Sequence, residues 1–106
     1  VGNDEIVGGS GNDFLRGGVG NDWLIGDFGD DQIWGDLGAD RIRLSTGNDQ
    51  IWGFSALEGD RLELDRGISF SLESINEGTQ IRTMLGVTTL VGVFDQGTVN
   101  SLIDLV

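Results

Sequence analysis

Six aspartates stand at equal intervals in this 106-residue chain: Asp4, Asp13, Asp22, Asp31, Asp40 and Asp49, each nine residues after the last. Two residues beyond each lies a large aliphatic (Ile6, Leu15, Leu24, Ile33, Ile42, Ile51), and two residues before each lies a glycine (Gly2, Gly11, Gly20, Gly29, Gly38, Gly47). Carboxylates transfer protons, attack electrophiles or hold cations. The chain has no His and no Cys, which removes the usual partners of the first two chemistries along with imidazole and thiolate metal sites. The third points to a hard divalent cation, which takes roughly six to eight oxygen ligands from carboxylates and backbone carbonyls. A glycine-rich turn leaves its carbonyls unshielded, and the aspartate adds a carboxylate at the turn's end.

The elements that position these groups follow from the period. With the unit written G-G-x-G-x-D-x-U-x, positions 7 to 9 predict a short strand whose alternation sends position 8 inward and positions 7 and 9 outward. Positions 1 to 6 must turn tightly, with some residues at positive φ. Strand and turn alternating at this period wind into a coil, two units per circuit, so the position-8 side chains meet in a thin core. Successive coils stack by parallel pairing about 4.8 Å apart, which makes units eighteen residues apart the partners around an ion. With 19 glycines, a helix over this region is implausible.

The repeat resembles the repeats-in-toxin (RTX) nonapeptide family, GGxGxDxUx, and the resemblance implies an all-β fold: a right-handed parallel β-roll, or β-solenoid, that binds Ca²⁺. "GGSGNDFLR" and "GGVGNDWLI" fit every position, "GDFGDDQIW" and "GDLGADRIR" place Asp at position 2, and "LSTGNDQIW" lacks both leading glycines. The match is tight over residues 1–52 and looser to about residue 65. Val1 falls within a repeat, which predicts a longer chain on the N-terminal side.

In that family an ion takes the position-2 and position-4 carbonyls and the position-6 carboxylate of one unit. From the unit eighteen residues later it takes the position-1 and position-3 carbonyls and that unit's carboxylate. By resemblance, one site joins Gly9, Gly11 and Asp13 to Gly26, Phe28 and Asp31, and a second joins Gly18, Gly20 and Asp22 to Gly35, Leu37 and Asp40. A third joins Asp27, Gly29 and Asp31 to Leu44, Thr46 and Asp49, where Leu44-Ser45-Thr46 fills positions 1 to 3 without glycine and is expected to bend differently. Gly2 and Asp4 begin another with Gly17, Val19 and Asp22; Asp36, Gly38 and Asp40 meet Gly53, Ser55 and Asp60 across a two-residue insertion. Three to five calcium ions are expected.

The formal net charge is −12, with 18 acidic residues against 6 arginines. That balance argues against nucleic acid and anionic membrane surfaces, and no apolar run approaches a membrane span. Four divalent ions would bring the charge to about −4. One aliphatic per nine residues is too thin a core to offset the ordering entropy of such a chain, so metal binding is expected to be part of the folding free energy. Extracellular calcium modules bind at about 10⁻⁴–10⁻³ M, which predicts a chain disordered in the cell and folded outside.

After residue 65 the repeat stops, and residues 66–106 are expected to form a β cap over the open end of the roll. "RLELDRGISF", "TQIRTML" and "VTTLVGVF" read as strands, and "SLESIN" as either a short helix or irregular. The apolar run 84–94 reads as core, and the final "SLIDLV" resembles the acidic-then-apolar C-termini of type I secretion substrates. Neither Asp104 nor Asp95 falls in the ligand series, and replacing Asp95 is expected to leave calcium binding unchanged.

Two classes of function remain once catalysis is set aside, since no nucleophile–base pair or phosphate loop exists and nothing selects a carboxylate pair among Glu58, Glu63, Glu73 and Glu77. The first is a calcium-folded secretion module of a Gram-negative extracellular protein, whose parent is a hydrolase, epimerase, toxin or adhesin. The second is a carbohydrate- or cell-surface-binding module. Outward Trp34 and Trp52 lie eighteen residues apart and are expected to stack, with Phe14 on the same side. Such a face contacts the cap, an upstream domain or a polysaccharide.

Overall fold

The computed structural model describes residues 2–55, 57–93 and 96–106, without the side chains of Gln96 and Thr98. Asp95, and Phe94 at the end of the apolar run, lie outside the described residues. Positions 7 to 9 form three-residue strands in five successive units: β1 (Glu5–Val7), β2 (Phe14–Arg16), β3 (Trp23–Ile25), β4 (Gln32–Trp34) and β5 (Arg41–Arg43). Longer strands follow as β6 (Gly47–Trp52) and β7 (Arg61–Leu64). The strands fall alternately into two sheets, which is the parallel β-roll that two units per coil require. One sheet begins β1-β3-β5-β7 and the other β2-β4-β6.

Pairing is parallel and in phase: Glu5 lies beside Trp23 and Trp23 beside Arg41, while Phe14 lies beside Gln32 and Gln32 beside Gln50. The register lengthens once, where Arg41 pairs with Arg61 across the insertion. Position 8 fills the space between the sheets. Leu24, Ile33, Ile42, Ile51 and Leu62 are fully buried, each contributing roughly 1.5–3 kcal/mol of apolar burial.

The remaining chain continues both sheets. β8 (Ser71–Ile75), β9 (Gly78–Thr83) and β10 (Gly86–Val91) form an antiparallel meander, and β10 pairs in parallel with β6. "SLESIN" is therefore largely strand, because pairing with β9 decides a segment whose own pattern does not. A helix, α1 (Gln96–Ser101), leads to β11 (Ile103–Leu105), which pairs in parallel with β7. Leu64, Ile81, Leu90 and Val99 extend the core beneath this layer.

Candidate metal centres between the coils

The turns put the predicted carboxylates in register. The backbone amide of Asp13 donates to Asp31 Oδ1 at 2.8 Å, that of Asp22 to Asp40 Oδ1 at 2.9 Å, and that of Asp31 to Asp49 Oδ1 at 2.8 Å. Asp4 donates likewise to Asp22, and Asp40 to Asp60. One carboxylate oxygen thus fastens each coil to the one before it.

The second oxygen is the informative one. Oδ2 of Asp13, Asp22, Asp31 and Asp40 is buried with no hydrogen-bond partner, and a buried carboxylate oxygen left in that state is costly unless a cation meets it. It is aimed at position 1 of its own turn, where a Cβ at Gly26 would stand 2.5 Å from Asp31 Oδ2 and one at Gly17 2.5 Å from Asp22 Oδ2. Burial, with neighbouring carboxylates adding to it, pushes the Asp40 carboxyl up to about 6. Asp49 is also pushed up to about 6, mainly by burial, and burial raises Asp31 and Asp60 as well. The carboxylates of Asp13, Asp22, Asp31 and Asp40, each with an unpartnered Oδ2, fit a hard divalent ion. Among the described residues no three acidic side chains converge closely enough to hold a metal alone, so backbone oxygens would complete each shell.

The carbonyls expected to do so meet across the coils. For the first set, Phe28 N donates to Gly9 O at 3.1 Å, and Gly11 O lies against Gly29. For the second, Gly20 N donates to Leu37 O at 3.0 Å, Gly35 O lies against Gly17, and Gly18 N donates to Asp36 Oδ2 at 3.3 Å. In the third, Thr46 Oγ1 donates to Asp27 O at 3.3 Å. The turn 44–49 keeps the path of the glycine-bearing turns at its start: Leu44 N donates to Glu63 O, as Gly8 N does to Ile25 O and Gly17 N to Trp34 O. The departure lies in the carboxylate, because Ser45 Oγ donates to Asp49 Oδ2 at 3.1 Å. At the N-terminal set, Gly2 O lies against Gly20, and Val19 stands exposed at the turn tip. In the last set, Asp36 turns its side chain to Arg16, whose Nη2 donates to Oδ1 at 3.0 Å; this ion pair holds its carboxyl below the ordinary range. Ser55 N donates to Asp60 Oδ2 at 2.8 Å, so Asp60 uses both oxygens. Gly53 holds a positive φ of 67° at the start of that turn.

Position 5 carries a second ladder that periodicity displayed but residue type disguised. Asn3, Asn12, Asn21 and Asp30 each accept, through Oδ1, the position-5 amide of the next coil at 2.8 Å. Asn and Asp are ordinary turn residues, and that ordinariness hid the role.

The family described as the RTX calcium-binding nonapeptide repeat (4 copies) matches residues 1–33 and 34–55. The chain belongs to this family. No curated protein matches it. Among solved structures, the AlgE6R3 subunit of the Azotobacter vinelandii mannuronan C5-epimerase is 25% identical with a TM-score of 0.65, covering 97% of this chain and 73% of that one. The extracellular lipase LipA of Serratia marcescens is 27% identical with a TM-score of 0.60, covering 99% of this chain. This RTX chain spans 20% of the lipase's length. The family match brings calcium-binding repeats, and the two solved structures share this chain's fold.

The outer face of one sheet of this RTX roll carries Phe14, Trp34 and Trp52 in one stack. Phe14 and Trp34 have ring centroids 5.6 Å apart with planes 9° from parallel, and Trp34 and Trp52 are 5.8 Å apart at 11°. Pyranose stacking needs open ring faces, whereas these faces cover one another and the Arg16 guanidinium lies 5.7 Å from the Trp34 centroid. Phe14, 70% exposed, is the most open member of the stack.

Proposed function

We propose that this chain is a calcium-folded module of an exported bacterial protein, in which three to five Ca²⁺ ions between the coils convert a disordered anionic chain into a rigid roll. Residues 1–65 form the ion-bearing region and residues 66–106 the cap. The supporting observation is the row of four buried aspartate oxygens without partners, at Asp13, Asp22, Asp31 and Asp40. Calcium supplies the positive charge those oxygens lack, and the protein's own share is to hold two carboxylates and several carbonyls in phase.

Millimolar calcium outside the cell and far lower levels inside make the fold depend on compartment. Passage through the type I secretion machinery as an unfolded chain, followed by folding in the extracellular medium, is the role this dependence serves. The two structural neighbours belong to an epimerase and an extracellular lipase, and their unrelated chemistries support a module indifferent to its parent's activity. The parent is accordingly an exported hydrolase, epimerase, toxin or adhesin. Far-UV circular dichroism tests the proposal: a random-coil spectrum in chelator and a β spectrum in millimolar calcium are expected. The same β spectrum after exhaustive EDTA dialysis would overturn it.

A further inference from the structure

The turn 53–60 is two residues longer than its counterparts, because Asp60 follows Asp40 by 20 residues where other ladder partners are 18 apart. The extra length changes which oxygen faces the preceding coil. At Gly20 the position-4 amide donates to a backbone carbonyl of the next coil, Leu37 O, at 3.0 Å; at Gly47 it donates to Leu85 O at 3.1 Å. At Gly38 the equivalent amide donates instead to a side chain, Glu58 Oε1, at 2.9 Å. The carbonyl that the repeat would have offered is engaged elsewhere: Ser55 O accepts Asp60 N at 3.1 Å within its own turn. Glu58 N in turn donates to Ser55 Oγ at 3.3 Å. Leu57 beside it points wholly into solvent at 102% exposure. The insertion thus throws Leu57 outward and turns Glu58 back onto the coil.

We propose that Glu58 is a side-chain calcium ligand of the site between the turns 35–40 and 53–60, replacing the position-3 backbone carbonyl that serves the other sites. This rests on the reading that ions occupy the spaces between coils. An amide needs one acceptor oxygen, and a carboxylate brings two, so the bond to Gly38 leaves Glu58 Oε2 as a donor for the ion. A second observation points to an ion here. Asp40 is 0% exposed, and its Oδ2 is buried without a partner. Glu58 need not close a three-carboxylate cage; it exchanges one neutral oxygen for a charged one. Affinity in oxygen-ligand sites rises with ligand charge, which makes this site tighter than its neighbours.

Calcium titration calorimetry on the whole chain tests this with Glu58→Gln and Glu58→Ala. Gln keeps an oxygen for the Gly38 amide and loses only the charge. One binding event weakened about tenfold in Glu58→Gln, with the others and the calcium-saturated β spectrum unchanged, is expected, and Glu58→Ala weakens the same event at least as far. If Glu58→Gln titrates as the wild type, Glu58 is a hydrogen-bond acceptor alone and the inference falls. If the wild type itself takes up no calcium, the function proposed above falls with it, so the two failures are distinguishable.

Discussion

Asp31 accepts the amide of Asp13 at Oδ1 across 18 residues and leaves its Oδ2 buried without a bond. The same residue donates its own amide to Asp49 Oδ1. It therefore stands in two inter-coil spaces at once, as carboxylate acceptor to the coil before it and as amide donor to the coil after it.

Replacing it should disturb both. In Asp31→Ala, two calcium-binding events are expected to weaken by at least about tenfold in calorimetry. Asp65→Ala removes a carboxylate that pairs at the surface with Arg43 and should titrate as the wild type. A loss confined to one event in Asp31→Ala would refute the shared role.

The raised carboxyls give the metal-free and calcium-bound states opposite responses to pH. Asp40 and Asp49 ionise at about 6 in the folded roll against an ordinary 3.8. The folded chain thus binds protons that the unfolded chain has released. In chelator their contribution to stability is complete below the unfolded value and lost as pH rises through about 6. Acidification from pH 7 towards about 4.5 should therefore increase β structure in EDTA. With calcium present the ion must displace those protons, so the midpoint calcium concentration should climb as pH falls below about 6. Circular dichroism across both conditions checks the two signs together.

Close coil contact singles out certain glycines. Gly38 has a φ of 117°, and a Cβ there would overlap Gly20 O. Gly53 has a φ of 67° with open space around its missing Cβ. Gly53→Ala is expected to cost about 1 kcal/mol from backbone strain alone. Gly38→Ala must also push neighbouring coils away from each other, so its calcium midpoint should rise several-fold further. Equal midpoints for the two variants would show that the coils stack more loosely than this geometry requires.

Asp104 lies off both columns of repeat aspartates and pairs instead with Arg61, its Oδ2 accepting Arg61 Nε at 3.1 Å. That pair holds the Asp104 carboxyl below its ordinary range. Asp104→Ala should speed amide hydrogen exchange across β11 while leaving calcium stoichiometry unchanged. Lost calcium binding would mean that β11 supports the sites directly.

Positions 4, 6 and 8 were legible because three residue types recur in phase, and phase alone determines which side chains share a column. Glu58 was illegible for the converse reason, since an insertion destroys phase and its role appears only once the backbone is traced. The segment forming α1 contains Gly97, Thr98 and Val99, all weak helix formers, so burial of Val99 against the core, rather than local preference, accounts for the helix. Spacing placed Phe14, Trp34 and Trp52 on one side, but whether rings present faces or edges depends on rotamers that spacing does not encode.

Among the described residues, the position-6 bonds run with the earlier coil donating and the later accepting, while the position-5 bonds run the other way, the later coil donating to the earlier. Parting two such coils therefore leaves each of them with one stranded N–H and one bared side-chain oxygen. Under mechanical load these two ladders favour neither end of the stack. Single-molecule force traces on a molecule stretched between its ends should register departures one circuit at a time.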